Sequence, residues 1–92
     1  MSITAKLLGD LSRFTDSPTI ALEEGPRSLG EVLEEVVRRY PLLRTQLFDD
    51  QGGMRKSLLL VVGGRYLKWP GDKGSAIEDG SELLVMRYLA GG

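Results

Sequence analysis

Apolar residues recur with two different periods along these 92 residues, and the switches between them mark out the elements. Residues 3–8 (Ile3, Thr4, Ala5, Lys6, Leu7, Leu8) alternate loosely and predict a first strand. Pro18-Thr19-Ile20-Ala21-Leu22 predicts a second. Turn formers at 9–17 separate the two and carry two candidate anchors, Leu11 and Phe14. Glu24-Gly25-Pro26 then breaks the chain. Beyond it the period lengthens, and Leu29, Val32, Leu33, Val36, Val37 and Tyr40 form one helical stripe. Ser28 followed by Glu31 is a capping box, in which hydroxyl and carboxylate each accept an otherwise orphaned backbone N–H. Glu34, Glu35, Arg38 and Arg39 fall on the other side and predict the pairs Glu34–Arg38 and Glu35–Arg39. Pro41 ends the helix, because a residue before proline is pushed out of the helical region.

Residues 42–48 predict a short further turn of helix with Leu43, Leu47 and Phe48 inward, and Asp49-Asp50-Gln51-Gly52-Gly53 a flexible loop. The unbroken β-rich run at 57–62 predicts a central strand covered on both faces. Gly63-Gly64 supplies a two-residue hairpin turn, from which 65–69 returns. Pro70 opens a loop to Ser75, Asp79-Gly80 marks another turn, and 81–88 predicts the last strand. The order is β-β-α-β-β-β, and its one amphipathic helix needs a sheet to cover it. The expected fold is α+β: a mixed sheet of about five strands on one main helix, with first and last strands parallel at its centre.

Composition narrows what such a domain does. Apolar residues at 41% and charged residues at 27% are globular proportions. A net charge of −1 points to neither nucleic acid nor an anionic membrane as the partner. The longest apolar run, 58–62, is far too short to span a bilayer. The first residues lack a signal-peptide pattern and there is no cysteine, so a cytoplasmic location is expected. With neither Cys nor His, the chain has no thiolate nucleophile, no Cys/His metal site and no imidazole base. No catalytic residue and no bound cofactor or metal is expected. Asp49-Asp50 reads as a solvated loop, and Gly52-Gly53 and Gly63-Gly64 fit no phosphate-cradling spacing.

The remaining candidate chemistry is at the C-terminal end, Leu89-Ala90-Gly91-Gly92. Two terminal glycines also suit a frayed end. Here they follow directly on a strand expected to be anchored in the sheet, and four residues reach at most about 13–14 Å. Without a Cβ, Gly91 and Gly92 pass a narrow channel and adopt backbone angles barred to other residues. A terminal carboxylate is ionised at neutral pH and is able to attack the α-phosphate of ATP when a partner aligns the two. Residues near the tail, Arg87, Tyr88 and Leu89, together with Leu8, are the candidate contacts with such a partner.

The segments Arg39-Tyr40-Pro41-Leu42-Leu43, Leu47-Phe48-Asp49, Val62-Gly63-Gly64-Arg65, Ile77-Glu78-Asp79-Gly80-Ser81-Glu82-Leu83 and Leu89-Ala90-Gly91-Gly92, in this order and spacing, resemble the MoaD/ThiS sulfur-carrier family of ubiquitin-like proteins. The likeness is greatest to the molybdopterin synthase small subunit. It implies a β-grasp domain over residues 1–88 and an extended tail at 89–92. It further implies that an activating enzyme of MoeB/ThiF type uses ATP to adenylate Gly92, with Gly91 and Ala90 as its slim approach. Sulfur transfer then gives a thiocarboxylate for an acceptor enzyme, MoaE-like or another synthase. The approach Met86-Arg87-Tyr88-Leu89 lacks the prolines of many relatives. Two other functions share these residues: a modifier conjugated through Gly92 to lysines, and a β-grasp interaction module whose tail is incidental.

Overall fold

The computed structural model describes residues 2–22 and 27–87. Within them the chain forms β1 (Thr4–Leu7), a 3-10 helix (Gly9–Phe14), β2 (Thr19–Ala21), β3 (Arg27–Ser28), α1 (Leu29–Arg39), α2 (Leu42–Leu47), β4 (Leu58–Val62), β5 (Arg65–Leu67), β6 (Ala76–Ile77) and β7 (Glu82–Arg87). Five strands make one sheet in the order β2-β1-β7-β4-β5, and β3 pairs with β6 in a small second sheet. β1 and β7 run parallel at the centre in the register Thr4↔Glu82 to Leu7↔Val85, and the other pairings are antiparallel. The expected mixed sheet with parallel first and last strands is present. The expected β-β-α-β-β-β order gains the short strands β3 and β6, each two residues long and too brief to show an alternation of its own.

α1 begins where its capping box places it. Glu31 N–H donates to the Ser28 hydroxyl (3.1 Å) and Ser28 N–H to the Glu31 carboxylate (2.9 Å), which holds that carboxyl below its usual range. Leu29 and Gly30 N–H donate to the carbonyls of Ser75 and Lys73, both at 2.9 Å, so the loop after β5 completes the cap. That approach explains a glycine inside a helix: a Cβ on Gly30 would lie 3.0 Å from Lys73 Cγ. The stripe Leu29, Val32, Leu33, Val36 and Val37 is buried, and α1 ends at Arg39, before Pro41. Leu43 and Leu47 of α2 face inward, as their spacing predicts.

The core lies between these helices and one face of the sheet. Ala5, Leu7, Ile20, Leu60, Leu67, Leu83 and Val85 point into it from the strands, joined by Ile3, Leu11 and Ile77. β4 departs from expectation: Leu58 and Leu60 are buried but Leu59 and Val61 are only half-buried. The strand lies inside the sheet, yet its second face carries no layer of described residues. The segment 49–53 is a built turn rather than a loose loop, since the Asp49 carboxylate accepts Gln51 N–H and Gly53 N–H, both at 2.9 Å.

Of the two predicted helix pairs, Glu35–Arg39 forms and Glu34–Arg38 does not. Glu35 is 1% exposed, between Arg39 one turn on and Arg27 of β3. Arg39 also donates to the Ala21 carbonyl at 2.8 Å. Glu34 faces Arg44 of α2 at 3.7 Å instead of Arg38. Burial by itself would raise the Glu35 carboxyl, but the Arg27 hydrogen bond and the charges of Arg27, Arg39 and Arg38 hold it below its usual range.

Candidate functional site

Strand alternation divides the sheet into a core face and an outer face, and the register shows which residues meet on the latter. One cross-strand row is Lys6, Leu84, Val61 and Tyr66; beside it Met86 lies opposite Leu59. Leu59, Val61, Leu84 and Met86 are half-buried and Tyr66 is 67% exposed, so the patch is largely apolar. Lys6 is its cation within the row, and Thr4 and Glu82 pair at one end of the face. Hydrogen bonds across the sheet fix these side chains on a rigid surface, and no layer of described residues covers them.

Leu8 belongs to this face. It continues β1 in extended conformation (φ −103, ψ 153), and its N–H donates to the Val85 carbonyl at 3.0 Å. Alternation after buried Leu7 turns the Leu8 side chain outward, toward the end of β7 where Met86 lies. Leu8 thus lies on the outer face, beside the end of β7.

Arg87, also expected at a partner surface, is on the opposite face. It follows Leu83 and Val85 in the core-facing row and is paired in register with Leu58. Its Nη2 donates to Gln46 Oε1 of α2 at 2.8 Å, and its Nη1 is 3.7 Å from Asp10 Oδ2. Arg87 Nε is buried, with no hydrogen-bond partner among the described residues. The guanidinium is drawn toward the helices because the row it continues faces them, and its side chain stays partly exposed. Tyr88, Leu89, Ala90, Gly91 and Gly92, the rest of the predicted site, lie outside the described residues.

Leu59, Val61, Leu84 and Met86 were missed in the sequence as surface residues. The run 58–62 is apolar at every position, so it carries no alternation to say that one face is open. The run 83–86 is likewise apolar at every position, and only the register with β4 makes Leu84 and Met86 face-mates of Val61 and Leu59.

The remaining surface offers little chemistry. A depression of about 610 Å³ beside α1 is lined by Arg27, Glu31, Glu34, Arg38 and Lys73 among others. Its charges are mixed, and Arg27 and Glu31 are already engaged within the protein. Among the described residues there is no group of three or more side chains able to hold a metal ion. No helix among them is long and apolar enough to cross a membrane.

Comparison with known proteins adds to this geometry. No protein-family model matches the chain. In sequence it is 26% identical over 88 residues to small archaeal modifier protein 1 of Haloferax volcanii, covering 95% of this chain and 97% of that protein. The crystal structure of that modifier superposes with a TM-score of 0.84 over 100% of both chains, again at 26% identity. Small archaeal modifier protein 1 of Methanosarcina acetivorans has the same fold (TM-score 0.78, 19% identity, 99% of this chain and 96% of that one). So does a chain of the BexX/CysO complex of Amycolatopsis orientalis (TM-score 0.78, 17% identity, 99% and 100%).

Proposed function

We propose that this chain, in sequence and fold a ubiquitin-like β-grasp protein of the MoaD/ThiS type and not an enzyme, carries an activated group on the carboxylate of Gly92. In the sulfur-carrier reading a partner enzyme aligns that carboxylate with ATP. One carboxylate oxygen attacks the α-phosphate, pyrophosphate leaves, and the carbonyl becomes electrophilic as a mixed anhydride with AMP. A reduced-sulfur nucleophile then displaces AMP and leaves a thiocarboxylate, whose sulfur passes to an acceptor enzyme. The chain contributes a substrate group and a docking surface, and the catalytic machinery belongs to its partners.

The observation that carries this reading is a central, doubly paired strand leading straight into a sequence that ends in two glycines, in a chain that matches a small modifier protein along almost its whole length. The outer face with Leu8, Leu59, Val61, Leu84 and Met86 supports it by supplying an apolar surface on β4, β7 and the end of β1. Aromatic and apolar groups at a patch centre with charges at its rim are what a protein partner's surface favours. Tyr88 and Leu89 continue toward that partner in this reading, with Ala90, Gly91 and Gly92 entering its channel.

Intact-mass measurement of the protein isolated from its own cells tests the proposal. A mass gain equal to replacement of one oxygen by sulfur, confined to the C-terminal peptide, is the expected result. A species that never carries sulfur, AMP or a conjugated protein at Gly92 would sink it. In this reading deleting Gly91-Gly92 should abolish activation and leave stability within about 0.5 kcal/mol. The second reading, conjugation of Gly92 to lysines, is favoured by the name of the Haloferax relative, a modifier. Higher-mass conjugates instead of a sulfur adduct would select it. Molybdopterin synthesis is one destination for the sulfur, tested by whether the thiocarboxylated chain supplies a MoaE-like acceptor.

A further inference from the structure

Arg87 is the last described residue of β7, five positions before Gly92 in the sequence. A lone cation at the end of a core-facing row is costly unless it is engaged. Here the guanidinium bonds α2 through Gln46 at 2.8 Å and approaches Asp10 of the 3-10 helix at 3.7 Å. The strand end is thus tied to two elements that are not its neighbours in the sheet. The Asp10 arm is half exposed and weak; the Gln46 arm is part-buried and supplies the geometry. Leu58↔Arg87 is the last pair of the β4–β7 register among the described residues, and this tie is made at that position.

We propose that the Arg87–Gln46 contact is a positioning device that sets the direction in which the tail leaves the body. The inference rests on the carrier reading above. Docking of the sheet face brings the body to the partner, but reaction requires the carboxylate of Gly92 to reach ATP through a narrow channel. A root held at one angle keeps the docked complex productive, and a loosened root leaves many docked complexes with the carboxylate misplaced. Misplacement near the reacting atoms lowers rate by about ten- to a hundredfold. Arg87 therefore acts through Gln46 as a positioning residue and does not itself touch substrate.

The test is carrier-dependent ATP–pyrophosphate exchange by the host's activating enzyme, read as separate kcat and KM for the carrier. Arg87→Met keeps the apolar stem and removes the fork; Gln46→Ala removes the acceptor from α2. Each should lower kcat at least about tenfold with KM unchanged. The double variant should be no worse than either single one, because both break the same contact. Gln46→Glu retains an acceptor and should keep the wild-type kcat. An increase in KM for Arg87→Met with Gln46→Ala harmless would mean that Arg87 meets the partner directly, and overturns the inference. Unchanged kcat per folded molecule with only a lowered Tm overturns it too. Absence of exchange with the wild-type chain strikes at the carrier reading itself, whereas a normal wild type with additive or silent variants strikes at this inference alone.

Discussion

Glu35 stands, by spacing, on the polar side of α1, yet its side chain is 1% exposed and lies between Arg27 and Arg39. Arg27 comes from β3 and Arg39 from the last turn of α1, and Arg39 also reaches the Ala21 carbonyl. Removing one member of a buried ion pair leaves the others desolvated and uncompensated. Glu35→Ala should therefore lower stability by about 3 kcal/mol in urea unfolding; a loss no larger than that of an exposed helix pair would contradict the assigned burial. The Glu35 carboxyl is held below its ordinary value of 4.5, so its contribution is fully present above that value. As pH falls below it through the depressed folded value, the contribution is lost. Wild type should become less stable over that interval, and Glu35→Gln should lose this part of the pH dependence. The sequence shows the Glu35–Arg39 spacing, but Arg27 lies beyond a break in the pattern, so its part in burying Glu35 is set by tertiary packing.

Elements with a strong local cause were legible. The capping box, the apolar stripe and Pro41 locate α1 at both ends, because each acts within a few residues of itself. The β4–β5 hairpin was equally plain: Gly63 and Gly64 have φ of +58° and +77°, the left-handed region that a two-residue turn of this kind requires. A Cβ on either would meet nothing within 4 Å, so the cost of substitution is conformational rather than steric. Gly64→Ala should lower stability by about 1–2 kcal/mol, measured by thermal unfolding; an unchanged Tm would mean that the turn tolerates another geometry. The open face of β4 was not legible. Leu58-Leu59-Leu60-Val61-Val62 gives no alternation, and which of its residues are covered depends on a helix elsewhere in the chain.

At the scale of the molecule, the apolar residues serve two surfaces that composition does not distinguish. Val36 belongs to the core, and Val36→Asp should abolish the cooperative unfolding transition by placing an unpaired charge among buried side chains. Leu84 belongs to the outer face, and Leu84→Asp should cost no more than about 1 kcal/mol while raising KM for the activating enzyme. Equal effects of the two substitutions on folding would erase the distinction between core and docking face. Of the candidate site, Leu8 lies on the open face beside the end of β7. Arg87 lies on the core-facing row, which strand alternation gives only once the register of β7 is known.

The parallel pairing of β1 with β7 has a mechanical consequence. Tension applied through the C-terminal end enters along β7, the strand flanked by β1 on one side and β4 on the other. Pulled lengthwise, such a strand loads its cross-links to both neighbours in shear, so they resist together instead of opening one by one like a zipper. If Gly92 is joined to another protein, as the conjugation reading proposes, an unfoldase pulling on that protein would have to overcome a strand bonded on both sides before this domain gave way. Recovery of the carrier intact is then better served by hydrolysing the bond at its tip than by dragging it apart.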